Sequence, residues 1–158
     1  MLYGTRAGST AEVAEFIGRK LSERHWSVDV AGVEGPKDLG SYQAVVIGSA
    51  IRKGSVLPEV RKFVRARRAE LRMVPVAYFA VCMTLREDSP ANRARASAYL
   101  DPLRSDVTPV RVGLFAGKMD YTKLDAGSKL MAKVARVPAG DFRDWKAIEA
   151  WADERNTS

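Results

Sequence analysis

Two uninterrupted apolar runs restrict the folds open to this chain more than any other feature. One is residues 43–48, carrying AVVIG; the other is residues 75–84, PVAYFAVCMT. A strand with one face in water alternates apolar and polar residues. A strand that is apolar along its whole length must be covered on both faces, as in the middle of a parallel sheet. The surrounding segments supply that cover. Residues 9–24 read as a helix with Val13, Phe16, Ile17 and Leu21 on one face. Residues 58–72 read as a helix with Val60, Phe63, Val64 and Leu71 facing in and a basic outer face. Residues 90–104 form an alanine-rich helix. Residues 144–155 form a last helix, with Trp145, Ile148 and Ala152 on one stripe. Between these lie further strands at 1–3, 27–33 and 109–116, with a turn-rich stretch at 35–41. Strand and helix alternate about five times. Right-handed crossovers then give an α/β fold, a doubly wound parallel sheet in three layers. In such folds ligands bind beyond the carboxyl ends of the strands.

Length and composition narrow the function. The 158 residues suit one domain, 1–158. The first strand is short, which leads to the expectation that the native chain begins further upstream or that the strand lacks its first residues. No apolar run approaches the ~20 residues of a membrane-spanning helix. No signal peptide is visible, because Met1 leads directly into a strand. A cytoplasmic chain is expected. The single cysteine, Cys82, excludes an intrachain disulfide and fits a reducing compartment. With one cysteine and one histidine, His25, a Cys/His zinc site is excluded by count, and no metal is expected. Lys and Arg number 26 against 19 Asp and Glu, a formal net charge of +7 that favours anionic partners. The basic stretch EVRKFVRARRAELR raises nucleic acid as one such partner. Its arginines mostly occupy the solvent face of an amphipathic helix, and no recognised nucleic-acid motif accompanies them, so nucleic acid is not expected.

Three loops follow strands, where ligand groups are expected. The first, YGTRAGST, runs from a strand through Gly8 into a helix. Loop amides and a helix N-terminus bind phosphate well, and Thr5, Ser9 and Thr10 add hydroxyls. Neither G-x-x-x-x-G-K-[ST] nor G-x-G-x-x-G is present. The second, SAIRKGSVL, joins small residues to Ile51, the Arg52–Lys53 pair and Gly54. An apolar face with cations suits a flavin ring, whose pyrimidine edge is electron-rich. The third, VCMTLRED, sets Cys82 and Met83 where they could pack on a flat ring and Thr84 where it could bond the ring's edge. A buried cysteine is also an ordinary small core residue.

With all three loops in view, the chain resembles the flavodoxin superfamily. Thr5, Arg6, Ala7, Gly8, Ser9 and Thr10 look like that family's phosphate loop, T-x-[TSD]-G-x-T, with Ala7 where a hydroxyl or carboxylate is common. AVVIGSAIRKGSVLPEVRKFV, PVAYFAVCMT, GLFAGKMDYTKLD and PAGDFRDWKAIEAWA resemble the flavodoxin-domain branch that contains the menaquinone-dependent protoporphyrinogen oxidases. The resemblance covers nearly the whole chain. It implies a five-stranded sheet in the order 2-1-3-4-5, FMN as cofactor, protoporphyrinogen IX as reductant and a quinone as acceptor, in heme biosynthesis. By the same resemblance the Thr5–Thr10 loop, through Thr5, Arg6, Gly8, Ser9 and Thr10, would hold the FMN phosphate. Ser49, Ala50, Ile51, Arg52, Lys53 and Gly54 would flank the isoalloxazine. Cys82, Met83, Thr84 and Leu85 would line its other side. The alternative is a flavodoxin-type electron-transfer protein that shuttles electrons between protein partners. Carrier flavodoxins are typically acidic and carry aromatic stackers that these loops lack.

Residues 117–142 are too long for a plain strand–helix turn. Within them KLMAKVARV has helical spacing, with Leu130, Val134 and Val137 on one side and Lys129, Lys133 and Arg136 on another. Such a helix can lie on an anionic membrane surface or brace the core as a lid. In the oxidases an insertion here is associated with substrate access and membrane contact, which implies a place at the inner face of the cell membrane. No Ser/His/Asp or Cys/His set is present, and no catalytic acid or base is assigned.

Overall fold

The computed structural model describes residues 1–35, 38–134, 136 and 138–154. Five parallel strands build the centre: β1 (Leu2–Gly4), β2 (Ala31–Gly32), β3 (Val45–Arg52), β5 (Val76–Cys82) and β6 (Arg111–Ala116). They lie side by side as β2-β1-β3-β5-β6, and a short β4 (Ser55–Val56) pairs antiparallel with the end of β3. With β4 set aside, this is the expected 2-1-3-4-5 order. A separate antiparallel pair joins β7 (Lys118–Met119) to β8 (Gly140–Asp141).

The apolar runs are buried on both faces, as their composition requires. On one side α2 (Pro58–Ala66), α3 (Arg68–Leu71) and α5 (Asp101–Arg104) pack Val60, Val64, Leu71 and Leu103 against Ile47 and Tyr78. On the other, α1 (Ser9–Glu23) and α7 (Trp145–Asp153) pack Val13, Ile17 and Ile148 against Phe79 and Phe115. Neighbours along a strand thus serve opposite layers, Tyr78 one and Phe79 the other. Helix starts are chemically marked. Ser89 caps α4 (Pro90–Ala98) by accepting from the Asn92 amide at 3.1 Å, and Asp144 caps α7 by accepting from the Ala147 amide at 3.1 Å.

Several boundaries differ from the sequence expectation. The helix expected over 90–104 stops at Ala98, and α5 restarts at Asp101; Pro102 has no amide and its ring opposes the carbonyl of Ala98. The helix expected over 58–72 breaks at Arg67, which leaves helical geometry at φ −108°, ψ 15°. Of residues 27–33 only Ala31–Gly32 pair as strand, opposite Leu2 and Tyr3 of β1, while Met1 bonds the Asp29 carbonyl and the Ala31 amide. β3 continues four residues past Gly48, since its end folds back onto β4 through Lys53 and Gly54, both at positive φ (52° and 70°). β5 ends at Cys82 and a 3₁₀ turn, Met83–Arg86, follows.

Tyr78 shows how the interior meets its polar groups. Its hydroxyl, fully buried, donates to the Val107 carbonyl at 2.8 Å, and burial pushes its pKa well above the ordinary phenol value. Tyr78→Phe leaves that carbonyl without its donor. The expected loss is about 1–2 kcal/mol of unfolding free energy, read from a chemical denaturation midpoint.

Candidate functional site at the carboxyl ends of the strands

Strand register brings the three loops to one edge. Gly4 pairs with Ser49, Ala50 with Val81, and Cys82 with Ala116. The segments after Gly4, Arg52 and Cys82 therefore lie at the same edge of the sheet.

The first loop is a set of donors around a left-handed glycine. Gly8 sits at φ 90°, where an L-residue is strained, and a Cβ there would meet nothing within 4 Å. Gly8 donates its amide to Thr5 Oγ1 at 3.0 Å, which ties the loop back on itself. Gly8 is also the N-cap of α1, and no side chain among the described residues caps that end. The first-turn amides and the positive end of the helix are thus available to an anion. Thr10, in that turn, is fully buried, and its hydroxyl has no hydrogen-bond partner among the described residues. Ala7 and Ser9 are half-buried beside it. Arg6 behaves differently. Its guanidinium forms a two-pronged pair with Glu59 in the first turn of α2, one bond measuring 2.9 Å, and it holds the Glu59 carboxyl below its usual pKa. The Arg6 charge is therefore engaged by protein.

In the second stretch, Ser49 is structural. Its hydroxyl accepts from the Leu57 amide at 3.0 Å and donates to the Ala50 carbonyl at 2.7 Å. Ala50, Ile51 and Arg52 lie in β3 and not in a loop; Ile51 and Arg52 face Val56 and Ser55 across the hairpin. Lys53 and Gly54 form its exposed tip. Arg52 lies 3.6 Å from Asp125, whose carboxyl is held below its ordinary pKa first by the Ser128 amide and further by Arg52 and Lys53. In the third stretch, Cys82 and Leu85 turn into the core against Ala96, with Ile51, Tyr99 and Leu114 around them. Burial pushes the Cys82 thiol up, toward an inert neutral form. Met83 and Thr84 stay half-exposed, and Thr84 Oγ1 meets the Tyr99 hydroxyl at 3.2 Å.

The 117–142 segment is fastened at both sides of this edge. It holds β7, a 3₁₀ turn at Tyr121–Lys123, α6 (Ala126–Val134) and β8. Asp125 joins it to Arg52 and also accepts from the Ser128 amide at 2.7 Å. Arg143, just past β8, bonds Asp141 at 2.7 and 2.9 Å and Glu12 of α1 at 2.5 Å, while stacking on Trp145 at 4.7 Å. Only 5% of the Arg143 side chain is exposed. α6 buries none of its described residues; Leu130, Met131 and Val134 are 65%, 53% and 76% exposed. Val137, expected on the same side, lies outside the described residues.

Glu59, Tyr99, Asp125 and Arg143 were not singled out by the sequence. Glu59 opens the helix after the second loop, and Arg143 stands between Asp141 and Asp144; those are the available signals. Tyr99 offered none. A groove of about 1160 Å³ opens at the opposite edge of the sheet, among Trp26, Val28, Tyr42 and Trp151. That groove lies away from the uncapped helix and the orphaned hydroxyl, which mark the loop edge.

A comparison with protein families matches residues 1–145 to the flavodoxin domain. The chain belongs to the flavodoxin domain family. Within it, relatives include the protein named protoporphyrinogen IX dehydrogenase [quinone] of Escherichia coli. That protein is 27% identical over 98% of this chain and 92% of its own length. A protein of the same name from Leishmania major is 27% identical over 98% of this chain and 72% of its own. Among solved structures, two-electron reduced flavodoxin from Megasphaera elsdenii superposes with a TM-score of 0.60 at 14% identity, over 97% of both chains. A flavodoxin variant from Fusobacterium nucleatum bound to flavin mononucleotide gives 0.58 at 13% identity, over 97% of this chain and 91% of its own. These flavodoxin likenesses agree with the sheet order and the placement of the helices.

Proposed function

We propose that this chain is an FMN-dependent oxidoreductase that takes hydrogen from protoporphyrinogen IX and delivers the electrons to a quinone, a step of heme biosynthesis. The observation that carries the cofactor is the buried, partnerless Thr10 hydroxyl beside the uncapped N-terminus of α1. A buried hydroxyl without a partner costs about 1–3 kcal/mol, and a phosphate oxygen would meet it together with the first-turn amides. In this reading Thr5 and Gly8 shape the phosphate loop, and Ser9 and Thr10 bind through hydroxyls and amides. Ala7 contributes backbone only. Arg6 supports the loop through Glu59. Ala50 to Gly54 flank the ring, with Met83 and Thr84 opposite; Ser49, Cys82 and Leu85 support from beneath. FMN supplies the redox chemistry when bound. The protein supplies position and charge, and Arg52 and Lys53 are the cations suited to a flavin edge or to substrate carboxylates.

The two relatives named for this activity support the choice of substrate. We read residues 1–158 as one domain, with 117–142 as its extra segment. Exposed Leu130, Met131 and Val134 alongside Lys129 and Lys133, with Arg136 just beyond the helix, make α6 suited to the inner face of an anionic bilayer, where quinone resides. No described helix is long and apolar enough to cross a membrane.

The test is an anaerobic titration of the FMN-reconstituted protein, followed by its visible absorbance. Protoporphyrinogen IX is expected to bleach the flavin band promptly, and a menaquinone analogue in anionic vesicles to restore it. Met131→Glu should slow restoration from vesicles and leave that by a soluble quinone unchanged. FMN bound without bleaching rejects this substrate and favours an electron carrier. No FMN uptake overturns the cofactor reading.

A further inference from the structure

We propose that Arg143 is a positioning residue for the cofactor phosphate, acting through Glu12; this rests on the FMN reading above. Glu12 poses an electrostatic problem. It stands one turn below Gly8 and Ser9 on the same face of α1, about 4.5 Å further along the axis than Ser9. Its amide bonds the Gly8 carbonyl at 3.1 Å. An uncompensated carboxylate there would repel a dianionic phosphate held at the first turn.

Arg143 offsets that charge while also pairing with Asp141. It reaches Glu12 at 2.5 Å although the two lie 131 residues apart in sequence. Two bonds to Asp141 and the Trp145 ring fix its plane, so the guanidinium has little freedom to leave. Trp145 in turn packs on Phe16 of α1 with ring centroids 4.8 Å apart. Lys118 and Lys123 add positive potential at the Glu12 carboxylate. All three cations belong to the 117–142 segment or its immediate flank. Seating of that segment on α1 is thereby linked to retention of the phosphate. The same pairs connect the end of β8 to the helix that carries the loop.

The test compares FMN with riboflavin, which lacks the phosphate, by quenching of flavin fluorescence. Arg143→Gln is expected to weaken FMN about tenfold and to leave riboflavin within about twofold. In E12Q/R143Q the Glu12 charge is gone, whereas Asp141 loses its Arg143 partner in the single and the double variant alike, so FMN affinity should return to within about threefold of the wild type. A strut without an electrostatic role would weaken both ligands equally, and the double variant would not recover; either result overturns the proposal. Should R143Q fail to fold, Glu12→Gln alone is decisive. FMN affinity held or tightened supports the proposal, and a tenfold loss overturns it. A wild-type chain that takes no FMN fails the cofactor reading and this inference with it. A wild type that binds FMN, with R143Q unchanged, fails this inference only.

Discussion

Gly48→Ala is expected to destabilise the protein by about 3 kcal/mol, the upper end of ordinary overpacking. Gly48 lies in the middle of β3, and a Cβ there would come within 2.0 to 2.4 Å of three ring carbons of Phe79. That ring belongs to the adjacent strand β5 and is fully buried. It cannot swing aside, because Phe115 and Trp151 stand against it with centroids 6.1 and 6.2 Å away. Relief therefore requires β3 and β5 to part, or α7 to shift. A chemical denaturation midpoint reads the loss, at unchanged slope. Phe79→Leu in the Gly48→Ala background should recover part of it, since the smaller side chain vacates the space. A neutral Gly48→Ala would mean that the ring moves freely in the layer between β3 and α7.

Thr10→Val is expected to have opposite effects on the empty and the loaded protein. The side chains are nearly the same size, so packing is retained. The apo protein should gain about 1 kcal/mol, because a buried hydroxyl with no partner is replaced by a methyl. FMN should bind ~30-fold more weakly, because a hydrogen bond to a charged phosphate contributes about 1.5–3 kcal/mol. Denaturation of the apo protein and flavin fluorescence measure the two effects separately. Loss of apo stability would show that the hydroxyl already has a partner in the fold. Unchanged FMN affinity would show that the phosphate is held by amides alone. The pair of signs is informative because a general packing defect moves both quantities downward.

Much of the architecture was legible in the chain itself. Residues 43–48 and 75–84 announced strands covered on both faces, and β3 and β5 are those strands, flanked by β1 and β6. The stripe Val13 and Ile17 announced the buried face of α1. Gly8 between hydroxyl residues announced a loop opening onto a helix, and its φ of 90° is the conformation that glycine permits. These features are local. Side-chain period, β-branching and the backbone freedom of glycine act within a few residues, so a short window of sequence contains them.

The use of individual side chains at the site was not legible. Arg6 looked like a phosphate ligand and is held by Glu59, 53 residues away. Ser49, expected to flank the ring, fastens the Leu57 amide. Cys82 and Leu85 sit one strand-end from the edge but turn inward, because Ala96 and Leu114 offer them an apolar seat. The residues 52–54 became a hairpin because Ser55–Val56 found β3 beside it. What the sequence by itself determined was the order of layers and the place of the glycine loop that opens onto α1, through periodicity and backbone freedom. Only the tertiary structure decided which charges meet, Arg6 with Glu59, Arg52 with Asp125 and Arg143 with Glu12. An ion pair depends on distance in space, and the crossovers of a doubly wound sheet bring together residues that no local pattern connects.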